Sequence, residues 1–498
     1  MTRRRTKADI LGIDPGQIDQ LEHAPRKAKR DSARSAEEEA MATLASYAGK
    51  HGNFSGHTMN GLAFAEKHEG TVAFIEELRQ WCVYNGIVWK AGKATLLMQA
   101  FAAERSDAAE EHHANEKSDP SEALAKITKA FLNSLDHQAN ALKAASDLPT
   151  MRRSLSQFDQ QPHLFAVANM VLDLRKGQPA QARSTDYVRN QSPVVYDPDA
   201  TCPEWLRFLK RVQPNREMRD YLQRMVGYIL TGEVSEEKFF FRHGSGANGK
   251  SVFCGVLEAI LDDYTAVLSF DNLAKRNNAK EADLVKGQLI GKRLASTNET
   301  QQRAVWNDSL IKELAARDQL SGRAMYEGAV RFTPTHKLLV KGNHVPGSHD
   351  TSDGLIRRYT PIGFNVTIPE EERDLDLERR VIRNELSGIL NWALEGARQW
   401  YDDGLLEPEC IEEERRQYKR DTDVFGQFVE ERLRAKPGAE CETQAVYQAY
   451  VRYMEKAGMH PSDERTFGRE LKRVFGDALT KKSRPKRYVG LTLKSDFQ

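Results

Sequence analysis

Between Gly244 and Ser251 the chain reads Gly-Ser-Gly-Ala-Asn-Gly-Lys-Ser, which satisfies G-x-x-x-x-G-K-[ST]. Residues of these types at this spacing can hold a polyphosphate. Glycines allow successive backbone N–H groups to curl around phosphate oxygens, and a following helix adds the partial positive charge of its N-terminus. Lys250 then reaches the β- and γ-phosphates, and the Ser251 hydroxyl is a ligand for Mg²⁺. Gly244, Gly246, Ala247, Asn248, Gly249 and Val252 complete the expected nucleotide contacts, with ATP and Mg²⁺ as the ligands. A glycine-rich turn that holds nothing is the competing reading, and it leaves the flanks unexplained.

Further along, three sets of side chains could act on a bound triphosphate. The run Leu289 to Thr300 reads as a strand ending in the carboxylate Glu299, expected beside the glycine-loop strand and charged to serve the metal or the attacking water. Asn298 precedes it, and an amide can hold a water but supplies no charge. Lys337 to Lys341 reads as another strand, tipped by Asn343, which can orient a lytic water or simply end a turn. Arg357 and Arg358 stand before an extended run, Tyr359 to Phe364. Two readings hold for them: surface charge, or fingers that stabilise charge developing on a nucleotide held by another subunit.

Elements of definite kinds must position these groups. Phe239, Phe240 and Phe241 form a short aromatic run expected to be a buried strand leading into the loop. After it Val252, Phe253, Val256, Leu257, Ile260 and Leu261 recur at helical spacing. Two short helices broken at Pro214 precede the strand over residues 204–233. Trp306 to Ala315 reads as a helix, followed by a hairpin near Gly328 and Phe332. Upstream, Trp81–Trp89 reads as a hairpin with Asn85-Gly86 as its two-residue turn.

At 498 residues, with 40% hydrophobic and 29% charged residues, the chain must hold several cores. Residues 1–55 carry Arg3-Arg4-Arg5 and Arg26-Lys27-Ala28-Lys29-Arg30, a basic tail read as solvated and partly disordered, or as an arm for a partner. Residues 56–200 read as a mainly helical N-terminal domain, 201–375 as the nucleotide-binding α/β core, and 376–420 as a charged helical linker or lid. Residues 421–498 offer three helices and two short strands around Lys481, Lys482, Arg484, Lys486 and Arg487, which suggests a winged helix with a basic tip for phosphates. A solvated charged face is the plainer alternative for that tip.

Composition also excludes some classes. No apolar run reaches the roughly 18–20 residues needed to span a bilayer, and the basic N-terminus lacks the apolar core of a secretory signal. Five scattered cysteines form neither a disulfide framework nor a zinc pattern, which fits a reducing cytoplasm. A net charge of +1 means that any nucleic-acid site must be a local patch or channel.

Several segments in order resemble the superfamily 3 helicase module of phage, plasmid and poxvirus primase–helicases, from about residue 60 to the end. Gly246–Ser251 matches that family's Walker A and Gly291–Thr300 its Walker B. Ile311–Leu339 matches the segment before the sensor strand, Gly342–Pro346 its sensor 1, and Asp353–Phe364 its arginine-finger segment. Phe158–Gly177 and Cys202–Leu209 are similar to the helical domain that precedes the ATPase.

The resemblance implies an AAA+-like P-loop ATPase core in a homo-hexameric ring, working in the host-cell cytoplasm with single-stranded or forked DNA in its pore. Lys250, Ser251, Glu299 and Asn343 would act within one subunit, and Arg357 or Arg358 on the next. Family members often carry a Lys-His pair on the pore hairpin. Here the matching stretch offers Arg323, Tyr326 and Arg331. Residues 1–50 are too few to fold into a primase domain, so priming is expected from a separate primase or polymerase. The alternatives are an ATP-controlled origin-binding initiator, and an NTPase used in host–phage interference.

Overall fold

The computed structural model describes residues 56–92, 94–115, 134–244, 246–274, 279–299, 305–323, 329–343, 345–348, 353–456, 461–476, 479–483 and 486–494. The basic tail expected over 1–55 lies outside them, as do Ser245, Tyr326 and Arg484. The chain divides into two compact units. One runs to Asn85 and resumes over Trp89–Leu155, and the other takes Gly86–Val88 and Ser156–Gln498.

The first unit combines three helices with a small sheet. Its helices are α1 (Gly56–Lys67), α2 (Ala94–Asn115) and α3 (Leu135–Ser146), and its strands β1 (Val72–Ile75), β2 (Gln80–Tyr84), β3 (Trp89–Ala91) and β4 (Arg152–Arg153) form a sheet of order β3-β2-β1-β4. Phe64, Met98, Phe101, Ala141 and Met151 make its core. The expected hairpin is present, but Tyr84 pairs with Trp89, so four residues rather than two close it. Two-residue turns need the strands to pair directly across them, and Ile87 and Val88 do not pair in this ladder.

In the second unit a parallel five-stranded sheet carries the candidate site. It opens with the antiparallel strands β5 (Leu164–Ala166), β6 (Val171–Asp173) and β7 (Gln178–Ala180), then α4 (Pro203–Val212) and α5 (Arg216–Leu230). Residues 156–200 therefore fall with the core and not with the unit before them. Their anchors are specific. Phe165 stacks on Tyr264 at 4.9 Å, the Ala166 N–H donates to the Tyr264 hydroxyl at 3.0 Å, and Ser192 Oγ donates to the Ile260 carbonyl at 2.5 Å. The buried Arg293 lies over the Tyr264 ring at 4.6 Å and donates to the carbonyls of Leu230 and Leu164.

The sheet strands are β8 (Phe239–His243), β9 (Thr265–Leu268), β10 (Leu294–Glu299), β13 (Lys337–Lys341) and β14 (Tyr359–Gly363), in the order β14-β8-β13-β10-β9. Between them run α6 (Lys250–Leu261), α7 (Ala279–Gln288), α8 (Asp308–Leu314), the hairpin β11 (Leu320–Arg323) and β12 (Ala329–Phe332), and α9 (Asp353–Ile356). The three phenylalanines of β8 are fully buried. Phe239 and Phe241 face the layer of Trp306, Leu310 and Leu314, and Phe240 faces the opposite layer with Phe253 and Ile362. Burial on both faces is what a central parallel strand requires. One expectation fails here: the strand of Glu299 is not beside β8, because β13 lies between them. Periodicity marks a strand but carries no information on its lateral neighbours.

Helices α10 (Leu377–Asp403) and α11 (Glu409–Thr422), expected as linker or lid, are structural. Val381, Ile389, Leu390, Ala393, Leu394, Ala397 and Trp400 of α10 are buried in the main core. Its backbone meets that of α5 directly: a Cβ on Gly227 would stand 2.0 Å from the Ala397 nitrogen. Finally α12 (Val424–Arg432), β15 (Leu433–Glu442), α13 (Thr443–Lys456), α14 (Glu464–Phe475), β16 (Thr480–Ser483) and β17 (Lys486–Leu493) enclose Phe425, Phe428, Val446, Tyr450, Phe467, Leu471 and Leu491, with sheet order β15-β17-β16. Strand β15 is an addition to the two strands expected there.

Candidate functional site

The loop after β8 is held by close backbone approaches that only glycine allows. Gly249 has φ +83°, and a Cβ there would stand 2.7 Å from Phe208 and Val212. At Gly244 a Cβ would stand 2.3 Å from the Phe364 carbonyl oxygen. Gly246, with φ +99°, faces open space, and Ala247 shares its left-handed backbone at φ 46°. The exit of β14 pins the loop: Asn248 Nδ2 donates to the Phe364 carbonyl at 2.8 Å, and the Ile368 N–H to the Ala247 carbonyl at 2.8 Å.

Helix α6 starts directly on this loop. With Gly249 at the N-cap no capping side chain occupies its first N–H groups, so the dipole and orphan donors face the loop. Such a terminus attracts an anion. Lys250 is buried, its ammonium donating to the Gly244 carbonyl and to Asn343 Oδ1, the latter at 2.7 Å. Ser251 is exposed and Val252 half-buried. The fully buried Arg242 donates to the Lys250 carbonyl, a tie that the sequence reading missed. Beside it, burial pushes the Cys254 thiol up to about 11, which keeps it a packing residue.

Asn343 thus stands with the loop at the C-terminal end of the sheet, as does the end of β10. There the backbone of Glu299 pairs with Lys341 after a register shift, while the side chains of Asn298 and Glu299 lie outside the described residues. The polar character of β10 has a local cause. Ser296 Oγ donates to Glu258 Oε1 at 2.5 Å, and Thr297 Oγ1 accepts the Lys341 N–H at 3.2 Å. Near by, burial raises the Glu378 carboxyl above its ordinary range, and the negative charge of Glu258 adds to that rise.

The arginines lie elsewhere. Arg357 and Arg358 precede β14, whose first residue pairs with Phe239 at the start of β8, whereas the loop follows His243 at its end. Five strand residues separate the two places, a length of about 16 Å. Both arginines meet Glu237: Arg358 Nη2 at 2.9 Å and Arg357 Nη2 at 3.5 Å. Arg358 also donates to the Gly354 carbonyl at 3.0 Å and is 11% exposed, whereas Arg357 is 65% exposed. Arg317, which the sequence reading passed over, joins the group, with its Nε 3.6 Å from Glu237 Oε1. No spacing rule links position 317 to 357; only the fold does.

The expected nucleic-acid residues are scattered. Arg323 and Arg331 share the exposed face of the β11–β12 hairpin, in register with Ala329 and Ser321. Lys486 is exposed, but Arg487 pairs with Glu440 at 3.2 Å and so is tied to the sheet. For Lys481 and Lys482 the backbone in β16 is described and the side chains are not. Among the described residues no helix is long and apolar enough to cross a membrane.

Comparison with known proteins adds three family matches in chain order. Residues 61–214 match "D5 N terminal like", 242–358 match a family of unknown function (DUF5906), and 420–497 match "Poxvirus D5 protein-like". The chain is 25% identical over 326 residues to "Putative helicase L207/L206" of Acanthamoeba polyphaga mimivirus, covering 61% of this chain and 34% of that protein. It is 22% identical over 346 residues to "Putative primase C962R" of African swine fever virus, covering 63% of this chain and 36% of that protein. The chain thus spans about a third of the length of these curated relatives. The solved C-terminal region of NrS-1 aligns with 88% of this chain and 100% of its own, at 10% identity and a TM-score of 0.45.

Proposed function

We propose that this chain, which belongs to the primase–helicase family, is an ATP-driven helicase module that works on single-stranded or forked DNA in the replication of a phage, plasmid or other mobile element. One observation carries the reading. The glycine loop, Lys250 and Asn343 lie at one end of β8, and the three arginines around Glu237 lie at the other. A site split across about 16 Å is of no use within one chain. It becomes complete when copies stack so that the arginine end of one meets the loop end of the next, as in a ring.

The loop fits a triphosphate and Mg²⁺: its left-handed glycines, open space at Gly246 and uncapped helix N-terminus form an anion cradle beside an exposed hydroxyl at Ser251. Gly246, Ala247, Asn248 and Gly249 would hold the phosphates, Lys250 would neutralise them, and Ser251 with Glu299 would hold the metal. ATP supplies the bond whose cleavage drives the motor. Asn343 orients a water, and Arg357 from a second copy stabilises the transition state, an effect worth about 10³–10⁵ in turnover where it has been measured. The glycine-loop strand in mid-sheet, with the Asn343 and arginine strands as its neighbours, supports an AAA+-like core. Three helices against the β15-β17-β16 sheet support a winged-helix unit after it. The test is ATP hydrolysis with and without single-stranded DNA. Wild type should hydrolyse ATP faster with DNA and Lys250→Ala should not hydrolyse it; equal rates in the two proteins would refute the site.

A further inference from the structure

Helix α11 touches the parts of the split site one after another. Ile411, Glu414, Arg415 and Tyr418 follow at i, i+3, i+4 and i+7, the spacing of a single helix face. Ile411 is buried in the layer of Phe240 and Phe253, and Tyr418 in the opposite layer with Phe239 and Trp306, so the helix spans the edge of the sheet at β14. Glu414 Oε2 lies 2.9 Å from Nε2 of His243, the residue directly before Gly244 of the loop. The Tyr418 hydroxyl donates at 3.0 Å to the carbonyl of Pro346, three residues after Asn343. Arg415 Nε donates to the Tyr359 carbonyl at 2.7 Å, and its Nη2 to Glu407 at 2.6 Å. Glu407 in turn meets Lys238 at 3.2 Å, and the Lys238 ammonium donates to the Arg357 carbonyl at 2.9 Å. On the outward face Arg416 and Arg420 simply pair with Glu413.

The far end of α11 has no slack. One residue, Asp423, ends α11 and begins α12: its N–H donates to the Lys419 carbonyl, and its carboxylate accepts the Gly426 N–H at 2.8 Å. Gln427 of α12 reaches back to the Arg420 carbonyl at 2.8 Å. Phe425 and Phe428 root α12 in the core of the C-terminal unit. A flexible linker would absorb a shift of α11, whereas this joint passes it on.

Nucleotide binding supplies a cause for such a shift. Lys250 holds its ammonium on the Gly244 carbonyl and, at 2.7 Å, on Asn343 Oδ1. A triphosphate on the loop would draw it away from both, because the same ammonium reaches the β- and γ-phosphates. The two groups so released stand next to His243 and three residues before Pro346, the anchors of Glu414 and Tyr418. A ligand that changes the contacts of both anchors biases the helix they hold.

We propose that α11 couples the glycine loop to the C-terminal unit, with Glu414 and Tyr418 as the contacts that carry the coupling. The inference rests on the nucleotide-binding part of the preceding reading and goes beyond it, since nothing there requires the C-terminal unit to respond to nucleotide. By linkage, a ligand of the C-terminal unit that senses this response changes nucleotide affinity by the same factor.

The test is hydrogen exchange of the full chain with and without adenylyl imidodiphosphate and Mg²⁺, read at the amides of residues 424–432. In wild type the analogue should slow their exchange about fivefold or more, the lower end of ordinary coupling energies. E414Q/Y418F should still bind the analogue by calorimetry yet show no change at residues 424–432. Y418F alone, which removes a single hydroxyl, should already weaken the response, so the result does not hang on the folding of the double variant. E413Q/R416Q, on the outward face, should respond like wild type, which separates loss of the two contacts from a general weakening of the helix. Bound analogue with unchanged exchange at residues 424–432 in wild type overturns the proposal, as does a full response in E414Q/Y418F. Wild type that binds no analogue by calorimetry refutes the nucleotide reading itself, and the coupling falls with it.

Discussion

Replacing Arg357 or Arg358 with alanine should give two different defects, although the residues are adjacent. Arg358 is 11% exposed and donates to Glu237 at 2.9 Å and to the Gly354 carbonyl at 3.0 Å. A hydrogen bond to a charged group contributes about 1.5–3 kcal/mol net when buried. Glu237 is 28% exposed and regains water when its partner leaves, so the loss for Arg358→Ala should be about 1–3 kcal/mol. Arg357 is 65% exposed and 3.5 Å from the same carboxylate, a surface pair worth no more than about 1 kcal/mol. In thermal melts, therefore, Arg358→Ala should lower the midpoint by several degrees and Arg357→Ala should scarcely move it. In ATPase assays the ranking reverses. Arg357→Ala should bind nucleotide normally and lose about a thousandfold or more in turnover, as expected for a lost finger. If Arg358→Ala melts like wild type and fails in hydrolysis while Arg357→Ala works, the assignment is the wrong way round.

Two further predictions concern the scaffold. Gly227→Ala places a Cβ 2.0 Å from the Ala397 backbone, and backbone cannot rotate aside, so the α5–α10 contact must open; a loss of about 3 kcal/mol or a failure to fold is expected by urea titration. A wild-type urea midpoint in this variant would mean that the two helices do not meet as described. Burial, followed by the neighbouring Lys337 charge, holds the His336 imidazole down to about 4. The unfolded chain takes up that proton below its ordinary value of 6.5 and the folded chain only near 4. Stability is therefore full above pH 6.5 and falls as pH drops from there toward 4, by about 1.4 kcal/mol per unit. Between pH 7 and pH 5 wild type should lose about 2 kcal/mol more than His336→Leu does, and identical slopes would show the ring to be accessible to protons.

What could be read without a structure was local. The glycine loop announces itself because phosphate binding restricts φ and side-chain volume at fixed offsets, and Gly244, Gly249 and Lys250 meet those demands. Strands β8, β13 and β14 were legible because burial on both faces leaves a continuous apolar run. Lateral order was not legible: that β13 separates β10 from β8 depends on crossovers, which hydrophobic pattern does not encode. Helix α10 looked like a linker because its many charges mask an apolar stripe from Val381 to Trp400 that becomes visible only when α5 is seen against it. The place of segment 156–200 is not legible because the residues that tie it down, the Ile260 carbonyl, the Tyr264 hydroxyl and the cation Arg293 among them, lie 68, 98 and 129 positions away from their partners. Strand β15 contains Pro437 and Gly438 in a bulged stretch between Ala435 and Glu440, so it shows no alternation to detect. The arginine group had the same difficulty, since Arg317 and Glu237 join Arg357 and Arg358 only in three dimensions.

The most direct measurement mixes two inactive proteins. Lys250→Ala keeps its arginine end and loses its loop; Arg357→Ala keeps its loop and loses its finger. If hydrolysis needs the loop of one copy and the guanidinium of another, combining them in equal amounts with single-stranded DNA should restore a fraction of the wild-type rate. No recovery in mixtures shown by sedimentation to form mixed assemblies, or full activity from a protein that stays monomeric, would contradict a site shared between copies.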